Sequence, residues 1–142
     1  MISILKDTQL IITVNNKVGS LAEIAGTIAS SGINLIAICA YAADNKGIIM
    51  FVSDDNAAAK KILSAKKYDV REEDVILVSL DNRPGALKSI TEKIAQLGID
   101  LNLLYGSADK AGKTTRLVLI SEDNDAVLTA LKCHAALAAK IK

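Results

Sequence analysis

The sequence predicts an α+β fold made of two copies of a β-α-β-β-α-β unit, and three observations carry that expectation. The stretch VNNKVGSLAEIAGTIASSGINL (residues 14 to 35) aligns without a gap with LDNRPGALKSITEKIAQLGIDL (80 to 101), 66 positions later. FVSDD (51 to 55) recurs as LISED (119 to 123), 68 positions later, which puts two extra residues of the second copy near Asp109 to Lys113. Within each copy, short β-branched runs alternate with segments whose apolar residues recur at helical spacing.

LIITV (10 to 14) and VILVSL (75 to 80) are apolar runs that end at polar turn residues, and each reads as a first strand. Leu21, Ile24 and Ile28, like Leu87, Ile90, Ile94 and Leu97, mark one face of a helix, with Gly32 or Gly98 where a C-terminal glycine belongs. INLIAICAYA (33 to 42) and GIIMFVS (47 to 53) flank the turn-rich ADNK and read as a hairpin, matched by IDLNLLYGSA (99 to 108) and TTRLVLIS (114 to 121) around DKAGK. The helices NAAAKKILSAKK and NDAVLTALKCH follow, with Asp55 and Asp123 placed near their positive ends. A last short strand is expected in each copy, at Tyr68 to Glu72 and at Leu137 to Ile141. This order is that of the split βαβ, ferredoxin-like unit, an antiparallel sheet with helices on one face. The expected domains are 1–72 and 73–142.

LIAICAY, VILVSL, IIMFV and RLVLI are apolar at nearly every position, whereas a half-solvated sheet alternates. The second sheet face must therefore be covered too, and a second chain is one way to do it, so at least a homodimer is expected. Hydrophobic residues make up 51% of the 142 residues, so the core is built from Ile, Leu, Val and Ala, with only three Tyr, one Phe and no Trp. Such a chain is short of platforms for stacking bases. The formal charge is +1 with signs interleaved, which gives no footprint for nucleic acid or anionic lipid. Ile24 to Ala43 carries no charge over a membrane-like length, but Ser30-Ser31-Gly32 and Asn34 break it into a helix end, a turn and a strand. No secretory signal is legible, and Cys39 and Cys133 lack metal or redox spacing, so a reduced, cytoplasmic chain is expected.

Catalytic machinery is not legible. AGKTT (111 to 115) lacks the P-loop glycine, with Ser107 in its place, and precedes a strand, so it reads as a hairpin turn. His134 beside Cys133 lacks the ligand count of a metal site and the third group of a nucleophile triad. No metal, cofactor or enzymatic activity is expected. The candidate site is the strand-to-helix loop of each copy, Asn16, Lys17, Val18, Gly19, Ser20 and Leu21 in one, and Asn82, Arg83, Pro84, Gly85, Ala86 and Leu87 in the other. A glycine at a helix N-terminus bares N–H groups to a small anion such as a carboxylate, and Lys17 or Arg83 adds charge. Asn34 and Asp100 open the next strand at equivalent places. The alternative is that these residues only cap helices and form turns.

With its N-x-x-G-x-L loop and following G-I-N-L or G-I-D-L, the chain resembles a tandem pair of ACT domains, over residues 5 to about 141. Two positions depart from that family's pattern: Val18 stands where proline is usual and Asp100 where asparagine is usual. The resemblance implies a regulatory module, with an amino acid bound at interfaces between modules by Asn16, Gly19, Leu21 and Asn34, and by Asn82, Gly85, Leu87 and Asp100. It extends to free-standing two-module proteins and to the modules of acetohydroxyacid synthase regulatory subunits, which implies signalling to a metabolic enzyme. The rival expectation is a structural or interaction subunit of such an enzyme that binds no ligand.

Overall fold

The computed structural model describes residues 3–110 and 112–141. The elements in chain order are β1 (Ser3–Asn15), α1 (Ser20–Ser30), β2 (Leu35–Ala43), β3 (Lys46–Ser53), α2 (Asn56–Ala65), β4 (Asp69–Asp81), α3 (Ala86–Gln96), β5 (Leu101–Ala108), β6 (Thr114–Ser121) and α4 (Asn124–Ile141). Hydrogen-bonded strand neighbours follow the order β2-β3-β1-β4-β6-β5. Two compact units result, Thr8–Glu73 and Met1–Asp7 together with Asp74–Lys142. β1 and β4 each run through both.

In the unit Thr8–Glu73, β1 pairs antiparallel with β3 so that Leu10 faces Phe51 and Ile12 faces Ile49. These four side chains meet Ile24 and Ile28 of α1 and Ala59 and Leu63 of α2 in one buried cluster. Each large aliphatic buried there contributes about 1.5–3 kcal/mol before conformational entropy is set against it. The leading residues of β4 complete the sheet, and Val70 packs against the same cluster. α2 is capped as its sequence predicts, the Ala58 N–H donating to Asp55 Oδ1 at 3.0 Å. Asn56 then ties helix to sheet by donating from Nδ2 to the Thr8 carbonyl at 2.7 Å.

The second unit repeats these devices. Ile76 faces Leu119 and Val78 faces Leu117 across β4 and β6, and they are buried with Ile90 and Ile94 of α3 and Val127 and Leu131 of α4. Ala126 N–H donates to Asp123 Oδ1 at 3.1 Å, and Asn124 Nδ2 to the Asp74 carbonyl at 3.1 Å. Even the irregularity of the third pairing recurs, between Leu35 and Ala37 in β2 and between Leu101 and Leu103 in β5.

The end of this unit departs from expectation. No strand forms at Leu137 to Ile141; α4 continues through that segment as an 18-residue helix. The run AALAAK is rich in strong helix formers and holds no glycine or proline to stop it. The place beside β4 is taken by the start of β1, whose Ile4 is 6% exposed and sits in the cluster with Ile76, Val78 and Leu80. Ile4 is to this unit what Val70 is to the other. The separate short strand expected at Tyr68 to Glu72 is likewise absorbed into β4.

The apolar residues of the second sheet face are buried as well. Ile11, Met50 and Val52, and Val75, Leu77 and Val118, alternate with the core side chains and so point away from the helices, yet all are buried. Among the described residues no helix is long and apolar enough to cross a membrane.

Two truncations have unequal expected costs. Ile4→Ala should destabilise by about 2–4 kcal/mol in urea unfolding, as large-to-small changes in a closed core do. Ending the chain before Leu137, which is 61% exposed, should cost under about 1 kcal/mol.

Candidate functional site

The two strand-to-helix loops have the same backbone. Gly19 (φ 90°) and Gly85 (φ 87°) occupy the left-handed region at the N-caps of α1 and α3, and neither helix start has a side-chain cap. A Cβ added at either position would meet nothing within 4 Å, so the dihedral requires glycine there, not the space. The first helical bonds run from Glu23 N–H to the Gly19 carbonyl and from Ser89 N–H to the Gly85 carbonyl, both at 3.0 Å. Earlier N–H groups of such a turn have no carbonyl within the helix.

Each loop is tied to its neighbouring hairpin. Asn16 N–H donates to the Asn45 carbonyl at 2.9 Å and Asn82 N–H to the Lys113 carbonyl at 2.6 Å. The Asn82 amide goes further and donates to the Asp109 carbonyl at 2.6 Å, so this expected ligand contact serves the hairpin. Ser20 Oγ donates to the Lys17 carbonyl at 3.0 Å. Lys17, Val18, Leu21, Arg83, Pro84 and Leu87 are exposed, and Ala86 packs partly against its unit's core.

Asn34 and Asp100 lie elsewhere. Asn15 is level with Lys46 and Ala43, whereas Leu35 is level with Ser53 at the other end of β2. Nine residues of strand separate them, roughly 25–30 Å. Asn34 exchanges bonds with Asp54 there, donating to its Oδ1 and accepting from its N–H, each at 3.0 Å. Asp100 likewise accepts from Glu122 N–H at 3.1 Å. No single unit brings the loop and the G-I-N-L asparagine, or its aspartate equivalent, together.

The structure instead places a cavity of about 460 Å³ at the loop end of the unit Thr8–Glu73. Lys17, Lys46, Lys66 and Lys67 line it together with Glu23, Tyr68 and Asp69. Tyr68 donates its hydroxyl proton to Glu23 Oε1 at 2.6 Å. That bond, helped by desolvation and the carboxylate's charge, pushes the Tyr68 phenol up to about 12. In the other unit Ser89 stands where Glu23 does, and its Oγ lies 2.9 Å from His134 Nε2.

Residues 5–130 match the sequence profile of the ACT domain pair. The chain belongs to that family. A solved structure of a Bacteroides thetaiotaomicron protein is 27% identical, with a TM-score of 0.86 over 93% of this chain and 90% of that one. The regulatory subunit of aspartate kinase from Thermus thermophilus, solved ligand-free, shares the fold at 15% identity and a TM-score of 0.63, over 91% of this chain and 94% of that one. Aspartokinase alpha and beta subunits are also similar, at 17% identity and a TM-score of 0.63, over 90% of this chain and 93% of theirs. No curated protein sequence matches the chain.

For this ACT pair, sequence reading missed Glu23, Lys46, Lys66, Lys67 and Tyr68. The adjacent lysines before Tyr68 were the available signal, though only the fold shows that they share a cavity with Lys17. Among the described residues no cluster of three or more His, Cys, Asp or Glu that could hold a metal ion occurs.

Lys67 also closes α2. Tyr68 N–H donates to the Leu63 carbonyl at 3.2 Å and Lys67 N–H to the Ser64 carbonyl at 3.0 Å, the Schellman pattern, with Lys67 at φ 70° in the left-handed position. Lys67→Gly should therefore stabilise the fold by about 0.5–1 kcal/mol in chemical denaturation, relief of strain exceeding the added chain entropy. Tyr68 gives a second expectation. Its folded value lies above the ordinary 10, so the neutral phenol favours the folded state; this contribution is complete below pH 10 and is lost as pH rises toward 12. An ultraviolet titration should show one tyrosine ionising late, and Glu23→Gln should bring that transition down.

Proposed function

We propose that the protein is a non-catalytic regulatory module that binds a small ligand, an amino acid by preference, and signals its occupancy to a metabolic enzyme in the cytoplasm. One observation supports this reading above others: both units place a left-handed glycine, with no side-chain cap, at the same helix N-terminus. Donors so arranged suit a carboxylate. Asn16, Lys17, Val18, Ser20 and Leu21 surround the first such point, and Arg83, Pro84, Ala86 and Leu87 the second.

The separation of Asn34 from the Gly19 loop, and of Asp100 from the Gly85 loop, bears on assembly. A site containing both groups needs a neighbouring module that runs the other way, and a homodimer supplies one. Edge strand β2, with Ile38 46% and Tyr41 50% exposed, is a surface on which such a neighbour would pack. Ligand held there shifts the module between packings only by its difference in affinity for them. The rival reading, a subunit that assembles with an enzyme and binds no ligand, draws on the Asn82 amide being committed to its hairpin.

A thermal-unfolding screen against the twenty amino acids at millimolar concentration tests the proposal. Ligand at one hundred times its Kd stabilises by about 2.7 kcal/mol, which should raise Tm by roughly 5 °C or more. Gly19→Leu and Gly85→Leu should abolish the shift while leaving the chain folded. A flat response from the folded wild type favours the rival.

A further inference from the structure

We propose that the cavity of the unit Thr8–Glu73 is a binding site for a compact polyanion, a small molecule that carries two or more phosphoryl or carboxylate charges. It shares Lys17 and Ser20 with the first loop but goes beyond the amino-acid reading, because it depends on side-chain ammonium groups contributed by three segments.

At about 460 Å³ the cavity is of a size that holds a metabolite. Its lysines come from separate segments: Lys17 from the loop before α1, Lys46 from the start of β3, and Lys66 and Lys67 from the turn after α2. Four lysines thus line it against two carboxylate residues, Glu23 and Asp69, and Glu23 already accepts a hydrogen bond from the Tyr68 hydroxyl. Lys46 and Lys66 donate to neutral oxygens, Asn15 Oδ1 at 3.0 Å and Thr27 Oγ1 at 3.2 Å. Gathering like charges is unfavourable unless something neutralises them, and a ligand with several negative charges does so. Lysines suit phosphoryl and carboxylate groups alike as point charges on flexible stems.

The second observation is the conformation of Lys67. The chain closes α1 by the same hydrogen-bond pattern with Gly32 at φ 71°, and α3 has Gly98 at φ 68° after its last turn. At α2 the slot holds lysine, in a backbone region that glycine occupies at far lower cost. The turn gains nothing from this residue. The cavity gains a fourth cation.

Calorimetric titration of the full chain with pyrophosphate and with citrate, at constant ionic strength and with acetate as a singly charged control, tests the assignment. Saturable binding of at least one polyanion is expected, with acetate inert. Pyrophosphate alone identifies a phosphoryl ligand and citrate alone a carboxylate one. Lys67→Gly should weaken that binding tenfold or more while unfolding at the same or a higher temperature than wild type, and Lys46→Gln should weaken it comparably. Lys61→Gln, outside the cavity, should leave it unchanged. Absence of saturable binding, or an equal loss in Lys61→Gln, overturns the proposal; neither result bears on the amino-acid screen.

Discussion

Everything in this fold depends on closing the helix-covered face of each sheet with a fourth strand. A β-α-β-β-α unit leaves one flank of its first strand open, and the aliphatic cluster beneath it open to water. The chain closes both units by the same means: the leading part of a long strand flanks one core while its trailing part begins the other unit. Val70 does this for Leu10, Ile12 and Phe51, and Ile4 for Ile76, Val78 and Leu80. Once that flank is covered, the loops, caps and hairpins fall at equivalent places, because the two halves share registers and the same Asp and Asn anchors.

The repeat made most of this legible. Six short strands and four helices were readable from period and turn chemistry, and so were the Asp55 and Asp123 caps. What failed was the last segment, where analogy with the first copy argued for a strand and local propensity for a helix. Propensity won, since Ser3 to Asp7 had already filled the position that a terminal strand would have taken. Nothing local in those five residues says which unit they serve.

The candidate sites divide along the same line. Backbone features were legible: Gly19 and Gly85 stand at helix N-termini, where the repeated loop put them. Side-chain surroundings were not, because they depend on which segments converge. Here the two units have diverged, one with Glu23, Tyr68 and a group of lysines, the other with Ser89 and His134. Duplication has kept the backbone device and let the electrostatics around it change. Asn34 shows the converse, a residue equivalent in both copies at a point roughly a strand's length from the loop it was grouped with.

The strand arrangement has a consequence for synthesis. The ribosome releases Ser3 to Asp7 ahead of the unit Thr8–Glu73, yet the unit that uses them is finished only when α4 emerges. The unit Thr8–Glu73 needs nothing beyond Glu73 and can close on the ribosome while its own leading extension is still without a partner. For that interval the nascent chain presents an unpaired strand edge carrying Ile4, the kind of edge that recruits chaperones or neighbouring chains. Spatial order here departs from chain order, and residues made before the unit Thr8–Glu73 find their place only after it is complete.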